Sequence, residues 1–144
     1  MQIKIKRIRT GAVIPQTATA GSAGVDLCAC IENAVTVNPN CAEKIPAGLS
    51  IAVPSGYAAF IFARSGLAAN HGLAPANCVG VIDSDYRGEI IVSLRNASDE
   101  AYAVQPGERI AQMAVMPVAT VQFIEEELGE TERGIGGFGS TGKR

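Results

Sequence analysis

The chain reads as an all-β sandwich or barrel with one short helix and a glycine-rich C-terminal arm. Three observations predict this: many short apolar or alternating runs, turn residues between them at regular spacing, and no sustained helical stripe. "QIKIKRI" (residues 2–8) alternates apolar and basic residues, as a strand with one wet face should. "GLSIAVP", "GYAAFIFA", "GEIIVSLRN", "RIAQMAVMPV" and "TVQFIEEE" follow as further strand candidates. Pro39-Asn40, Pro46, Pro54-Ser55-Gly56, Asn96 to Asp99 and Pro106-Gly107 punctuate them. Turn signals at intervals of roughly 8–12 residues mark sandwiches and barrels. The one helix candidate is "RSGLAANHG", which Ser65 can cap and Gly72 can stop.

With 144 residues, one domain can bury a core without staples. Hydrophobic residues make up 47% and charged residues 18%, which implies an unusually apolar surface or an interface. Net charge is −2, so no clustered basic face points to a nucleic-acid partner. The basic run "KIKRIR" alternates with isoleucine and reads as the solvated side of an edge strand. Cys28, Cys30, Cys41 and Cys78 form no C-x-x-C pair and have one histidine, His71, for company, which argues against a zinc site. They read as reduced, small core hydrophobes. No signal peptide precedes the first strand, and no apolar run reaches the ~20 residues that cross a bilayer. The expectation is a cytoplasmic protein with no membrane partner.

Several polar groups fall at turns, where functional side chains concentrate. "AGVDLCA" places Asp26 in an otherwise apolar strand. "ARSGLA" puts Arg64, Ser65 and Gly66 at a helix start, where guanidinium, hydroxyl and free amides suit an oxyanion, although a capped turn with a surface arginine reads equally well. "GVIDSDYRGEI" carries Asp83 and Asp85 two apart, on one face if extended, with Tyr86 opposite. Paired carboxylates suggest proton chemistry or a metal, and a plain hairpin turn is the competing reading. An EF-hand fails, because its position five would be Arg87 and position twelve Leu94. "PGERIAQM" adds Arg109 and Gln112, which look structural when taken alone, and His71 reads as a loop histidine.

The tail "ERGIGGFGSTGKR" (residues 132–144) has glycine at five of thirteen positions, so it cannot order itself. Gly137 to Lys143 fits G-x-x-x-x-G-K, yet Arg144 replaces the Ser or Thr and no helix can follow. A phosphate loop needs both, so that reading fails. Phe138, flanked by glycines, can instead stack on a planar base, with Arg133, Ser140 and Thr141 nearby to grasp phosphate.

"AGVDLCA", "ARSGLA", "GVIDSDYRGEI", "PGERIAQM" and "RGIGGFGSTG", in this order and spacing, resemble the five motifs of the trimeric deoxyuridine triphosphatases (dUTPases), and the likeness spans the chain. The resemblance implies a jelly-roll-like β-barrel over residues 1–131 and a flexible arm, 132–144, that closes a neighbouring subunit's active site. It implies a homotrimer with inter-subunit sites. The implied reaction is dUTP and water to dUMP and diphosphate with Mg2+, supplying dUMP for thymidylate synthesis and keeping uracil out of DNA. It matches Asp83 to the residue that activates water and meets the 3′-hydroxyl. It matches Tyr86 to the ring under the deoxyribose that excludes a 2′-hydroxyl. Asn77, with Gly80, Val81, Ile82 and Ile91, matches the uracil-reading hairpin. Arg64, Ser65, Gly66 and Gln112 match phosphate ligands, and Asp26 matches the residue that holds magnesium-bound water. Arg133, Phe138, Gly139, Ser140 and Thr141 match γ-phosphate and base contacts of the arm. Ala63 and Val25 stand where the family often has proline and an aromatic, and neither supplies a reacting group. A dCTP deaminase of the same superfamily, possibly bifunctional, would need a catalytic glutamate in the third motif region, and "IDSDYRG" suits hydrolysis better. A non-catalytic nucleotide sensor or scaffold could dispense with Asp83 or the arm, and this chain keeps both.

Overall fold

A computed structural model describes residues 1–137. Eleven strands and one helix run in the order β1 (Lys4–Arg7), β2 (Val25–Cys28), β3 (Val35–Val37), β4 (Ala42–Pro46), β5 (Leu49–Ala52), β6 (Tyr57–Phe62), α1 (Ser65–His71), β7 (Leu73–Pro75), β8 (Gly80–Ile82), β9 (Ile91–Asn96), β10 (Tyr102–Val104) and β11 (Arg109–Pro117). Every pairing is antiparallel. The strands form a four-stranded sheet β2-β11-β6-β8, a three-stranded sheet β4-β9-β7 and the pairs β1-β5 and β10-β3. Four separate sheets suit the double-sheet jelly roll rather than one continuous ring, and the predicted all-β class holds.

Alternation along the strands decides what faces inward. In β5, Leu49 and Ile51 are buried while Ser50 and Ala52 are not; in β9, Val92, Leu94 and Asn96 are buried, and Ile91 and Arg95 are exposed. Side chains from every sheet meet in one core that includes Leu27, Val37, Ile45, Leu49, Leu94 and Ile110. Fully burying one such side chain contributes about 1.5–3 kcal/mol, whereas a partly exposed ion pair contributes about 0–1 kcal/mol. Apolar burial therefore holds the sheets together, and the ion pairs orient side chains upon them.

The pattern in β9 also puts an amide into the core. Asn96, fully buried, donates from Nδ2 to the carbonyls of Val37 (3.0 Å) and Glu100 (2.7 Å). Its Oδ1 accepts from the Ser98 N–H (2.9 Å) and hydroxyl (2.7 Å). All four of its hydrogen-bonding positions are thus used. Beside it, Gly72 ends α1 at φ +66°, donating to Ala68 O and accepting from Ala97 N–H. A Cβ at Gly72 would meet Ser98 N at 2.9 Å, so space as well as conformation selects glycine there.

Three sequence expectations need correction. Ser65 does not cap α1: Arg64 is the cap residue, in extended conformation, and no side chain accepts from the first turn. The cysteines are not core residues: Cys28 and Cys30 are half-buried, Cys41 and Cys78 are exposed, and all four are unpaired thiols. "TVQFIEEE" forms no strand. Residues 118–135 are exposed, including Phe123 (93%) and Leu128 (94%), because no strand among the described residues lies alongside to supply ladder bonds. No helix among the described residues is long and apolar enough to cross a membrane.

Asn96→Ala removes four hydrogen bonds and leaves the buried Val37 carbonyl without its side-chain donor, and should lower unfolding free energy by roughly 3 kcal/mol. Urea titration measures this. A loss below about 1 kcal/mol would mean that water replaces the amide.

Candidate active site

Most of the predicted site residues fall into two groups beside the sheet β2-β11-β6-β8, with Ile91 joining the second from β9. The first is polar. Register aligns Gln112 of β11 with Asp26 of β2 on one side and Phe62 of β6 on the other. The chain leaves β6 at Phe62 and reaches α1 at Ser65, so Arg64 arrives beside Asp26. Arg64 Nε donates to Asp26 Oδ1 at 2.8 Å, and Arg109 donates to Asp26 Oδ2 at 3.2 Å. Arg64 also donates to the Arg109 carbonyl (3.3 Å), and Gln112 Nε2 to the Ala63 carbonyl (2.9 Å). Arg64 keeps further N–H donors for an incoming anion. Ser65 and Gly66 open α1, whose first amides lack intrahelical partners. A Cβ at Gly66 would meet nothing, so packing within this chain does not demand glycine there. Arg109, which looked structural in the sequence, belongs to this cluster. Its signal was its place three residues before Gln112, with a β-bulge between Arg109 and Ala111 re-aiming the strand.

The second group forms a small cavity of about 180 Å3, lined by Ile61, Asn77, Gly80, Val81, Ile82, Tyr86, Glu89, Ile90 and Ile91. That is below the ~300 Å3 of typical whole-ligand pockets, so it holds one ring rather than a whole nucleotide. β8 is the outer strand of its sheet among the described residues, so one edge of Gly80–Ile82 presents backbone groups without ladder partners. Gly80 packs closely, since a Cβ would meet Ile61 Cβ at 3.1 Å. Cys78, exposed and at φ +62°, turns the chain between Asn77 and β8. Tyr86 is 45% exposed, and its hydroxyl donates to the Glu89 carbonyl at 3.0 Å.

Asp83 and Asp85 are not on an extended strand. They sit in a tight turn closed by Tyr86 N–H donating to Asp83 O (3.2 Å), and both are exposed. Asp83 leads directly from the cavity strand β8, whereas the cavity shares no lining residue with the Asp26–Arg64 cluster. Arg133 lies apart, donating within the arm to Gly136 O (2.9 Å). Phe138, Gly139, Ser140 and Thr141 lie outside the described residues. His71 is exposed at the end of α1, with its ring 4.9 Å from that of Tyr102, away from either group.

Burial and then the Asp26 carboxylate push the Cys28 thiol up, while Arg109 and Arg64 pull it down. Asp26→Ala should therefore leave burial opposed by two guanidiniums with no carboxylate beside them, and speed iodoacetamide alkylation of Cys28 at pH 8 by about three- to tenfold. Peptide mass spectrometry reads the rate, and an unchanged rate would contradict this charge balance.

Comparison with known proteins matches residues 10–142 to the dUTPase family. The deoxyuridine 5′-triphosphate nucleotidohydrolase of Desulfitobacterium hafniense (strain DSM 10664 / DCB-2) is 51% identical over 146 residues, covering 99% of this chain and 97% of that protein. The enzyme of the same name from Bordetella avium (strain 197N) is 47% identical over 145 residues, with the same coverage. Among solved structures, a Staphylococcus bacteriophage 80alpha dUTPase with dUPNHPP superposes with a TM-score of 0.86 at 25% identity, covering 98% of each chain. A family match over nearly the whole chain, joined to relatives at about half identity, leaves one conclusion: this chain belongs to the dUTPase family.

Proposed function

We infer that the protein hydrolyses dUTP to dUMP and diphosphate. The observation that carries this is a one-ring cavity beside the free edge of β8, followed directly by Asp83, in a chain of the dUTPase family. Strand backbone presents a fixed order of donors and acceptors. Uracil can satisfy that order, whereas cytosine, with one donor and one acceptor exchanged, would leave groups unpaired. Asn77 and the backbone of Gly80, Val81, Ile82 and Ile91 take the base. Tyr86 takes the deoxyribose, and Arg64, Ser65, Gly66 and Gln112 take the phosphates.

Asp83 is the general base. It removes a proton from a water in line with the α-phosphorus as the water oxygen bonds to phosphorus. The phosphorus–bridging-oxygen bond breaks, and diphosphate leaves with the bonding pair. Arg64, with donors to spare, faces the charge that builds on the phosphates. Mg2+ fits this scheme as a substrate-borne ion. No group of three or more His, Cys, Asp and Glu among the described residues could hold a metal, and both Asp26 oxygens already accept from arginine. Asp26 therefore suits a hydrogen bond to a metal-bound water rather than direct ligation. Mg2+ supplies charge neutralisation along the triphosphate when bound.

The base and phosphate groups share no lining residue within one chain, which supports sites completed across the interfaces of a homotrimer. The exposed apolar residues between Val118 and Ile135 give the segment leading into the arm material with which to contact a neighbour. In this reading residues 1–131 are the catalytic barrel and 132–144 the arm. Arg133, Ser140 and Thr141 meet the γ-phosphate, while Phe138 and Gly139 cover the base. A cytoplasmic location suits the four unpaired thiols.

Product analysis of purified protein with dUTP and Mg2+ should find dUMP and diphosphate. Orthophosphate, ammonia from dCTP, or equal turnover of dTTP and UTP would overturn the reading. In the same assay Asp83→Asn should lose about 10²–10⁴-fold in kcat with substrate binding retained. Truncation before Arg133 should lower kcat/KM at least about tenfold while the melting temperature barely moves, because lids act on the closed complex. An unimpaired truncated enzyme would remove the arm from the mechanism.

A further inference from the structure

We propose that Arg9 and Glu89 form a clamp that sets the pose of Tyr86, and through it the discrimination of deoxyribose from ribose. The inference rests on the dUTP reading above and adds two residues, Arg9 outside the motifs and Glu89 within the third, to which that reading gives no role.

Tyr86 needs outside support. Its ring is nearly half exposed, so packing alone does not fix its torsions. Two contacts hold it. Its hydroxyl donates to the Glu89 carbonyl at 3.0 Å, and its ring lies over Gly88, where a Cβ would collide with the phenol oxygen and Cζ. The ring therefore goes where the peptide of residues 88–89 directs it.

That peptide is held from the far side of the residue by the Glu89 carboxylate. Arg9 donates from Nε and from a terminal nitrogen to the two carboxylate oxygens, at 2.5 and 2.8 Å, in a fork geometry. The same carboxylate accepts the Gly48 N–H at 3.1 Å. The Glu89 side chain is only 14% exposed, although that of Arg9 is 51% exposed. Gly48 is itself immobile: at φ +69° it sits so close that a Cβ would meet Cys30 Sγ at 2.6 Å and Ala12 Cβ at 2.8 Å. Ile8 N–H donates to Gly48 O (2.9 Å), and Ile90 N–H to Leu49 O (2.8 Å), which closes the frame around Glu89. The bond to Arg9 keeps the Glu89 carboxyl below the usual carboxylate range, so it stays ionised at working pH.

A surface ion pair does little for stability, so stability alone does not account for a largely covered carboxylate with three N–H donors. Position does. Tyr86 and Glu89 line the same cavity, and a sugar-facing ring displaced by a fraction of an ångström leaves room for an extra hydroxyl.

The test measures kcat and KM with dUTP and with UTP for the wild type, Arg9→Met, Arg9→Lys, Glu89→Gln and Tyr86→Phe, with melting temperatures alongside. Arg9→Met and Glu89→Gln should each reduce the dUTP/UTP ratio of kcat/KM roughly tenfold, mainly because UTP turnover rises. Arg9→Lys, which keeps the charge and one hydrogen bond, should recover most of the ratio. Tyr86→Phe should reproduce the loss, and adding Arg9→Met to it should cost nothing further, as for groups acting in one chain. Parallel losses on both substrates, or additive effects in the double variant, would overturn the clamp. A selective wild type with an unchanged ratio in Arg9→Met would overturn the clamp alone. A wild type that does not separate the two sugars would overturn the dUTP reading itself.

Discussion

The register of β11 between β2 and β6 is the constraint on which the rest of the site depends. At Gln112 the strand meets Asp26 on one side and Phe62 on the other, and the chain beyond Phe62 brings Arg64 back onto Asp26. A slip of one residue would send every side chain of β11 to the opposite face, exposing Ile110 and Met113 and burying Gln112. The hydrophobic core thus enforces the polar geometry. Leu27 beside Asp26, and Ala111 and Met113 on either side of Gln112, are buried because the functional residues are not.

The two guanidiniums at Asp26 illustrate a general economy in anion sites. A lone carboxylate near a triphosphate would repel it. Here each Asp26 oxygen is occupied by an arginine, so the carboxylate organises positive charge rather than opposing negative charge. The pairs are partly open to water, which keeps the cost of desolvation low and leaves the guanidiniums able to exchange partners. In the proposed reading, such a cluster can take phosphate without first being emptied of solvent.

Much of this was legible in the sequence, because local chemistry and fold agree over most of the chain. Period-two runs became strands, Gly72 ended α1, and the motif residues at turns formed two compact groups. The misses share a cause. For Asp83 and Asp85 the sequence left an extended pair and a hairpin turn both open, and a local hydrogen bond from Tyr86 to Asp83 selects the turn. Ser65 looked like a cap, but the cap position is set by where β6 releases the chain, and that falls on Arg64. "TVQFIEEE" has strand composition, but a strand also needs a partner, and none lies alongside it among the described residues. The Arg9–Glu89 pair spans eighty residues of sequence, so no spacing argument could have joined them.

The free edge of β8 has a consequence beyond the proposed base recognition. A row of unpaired N–H and C=O groups is the template on which one chain adds to another and aggregation starts. This protein presents such a row but keeps it to three residues, beginning at a glycine and ending in the Asp83–Tyr86 turn. An edge of that length can match one heterocycle with its fixed order of donors and acceptors, but it is too short to hold a stray strand. In the proposed reading, the same short strand serves recognition of a small ring and denies other chains an edge to pair with.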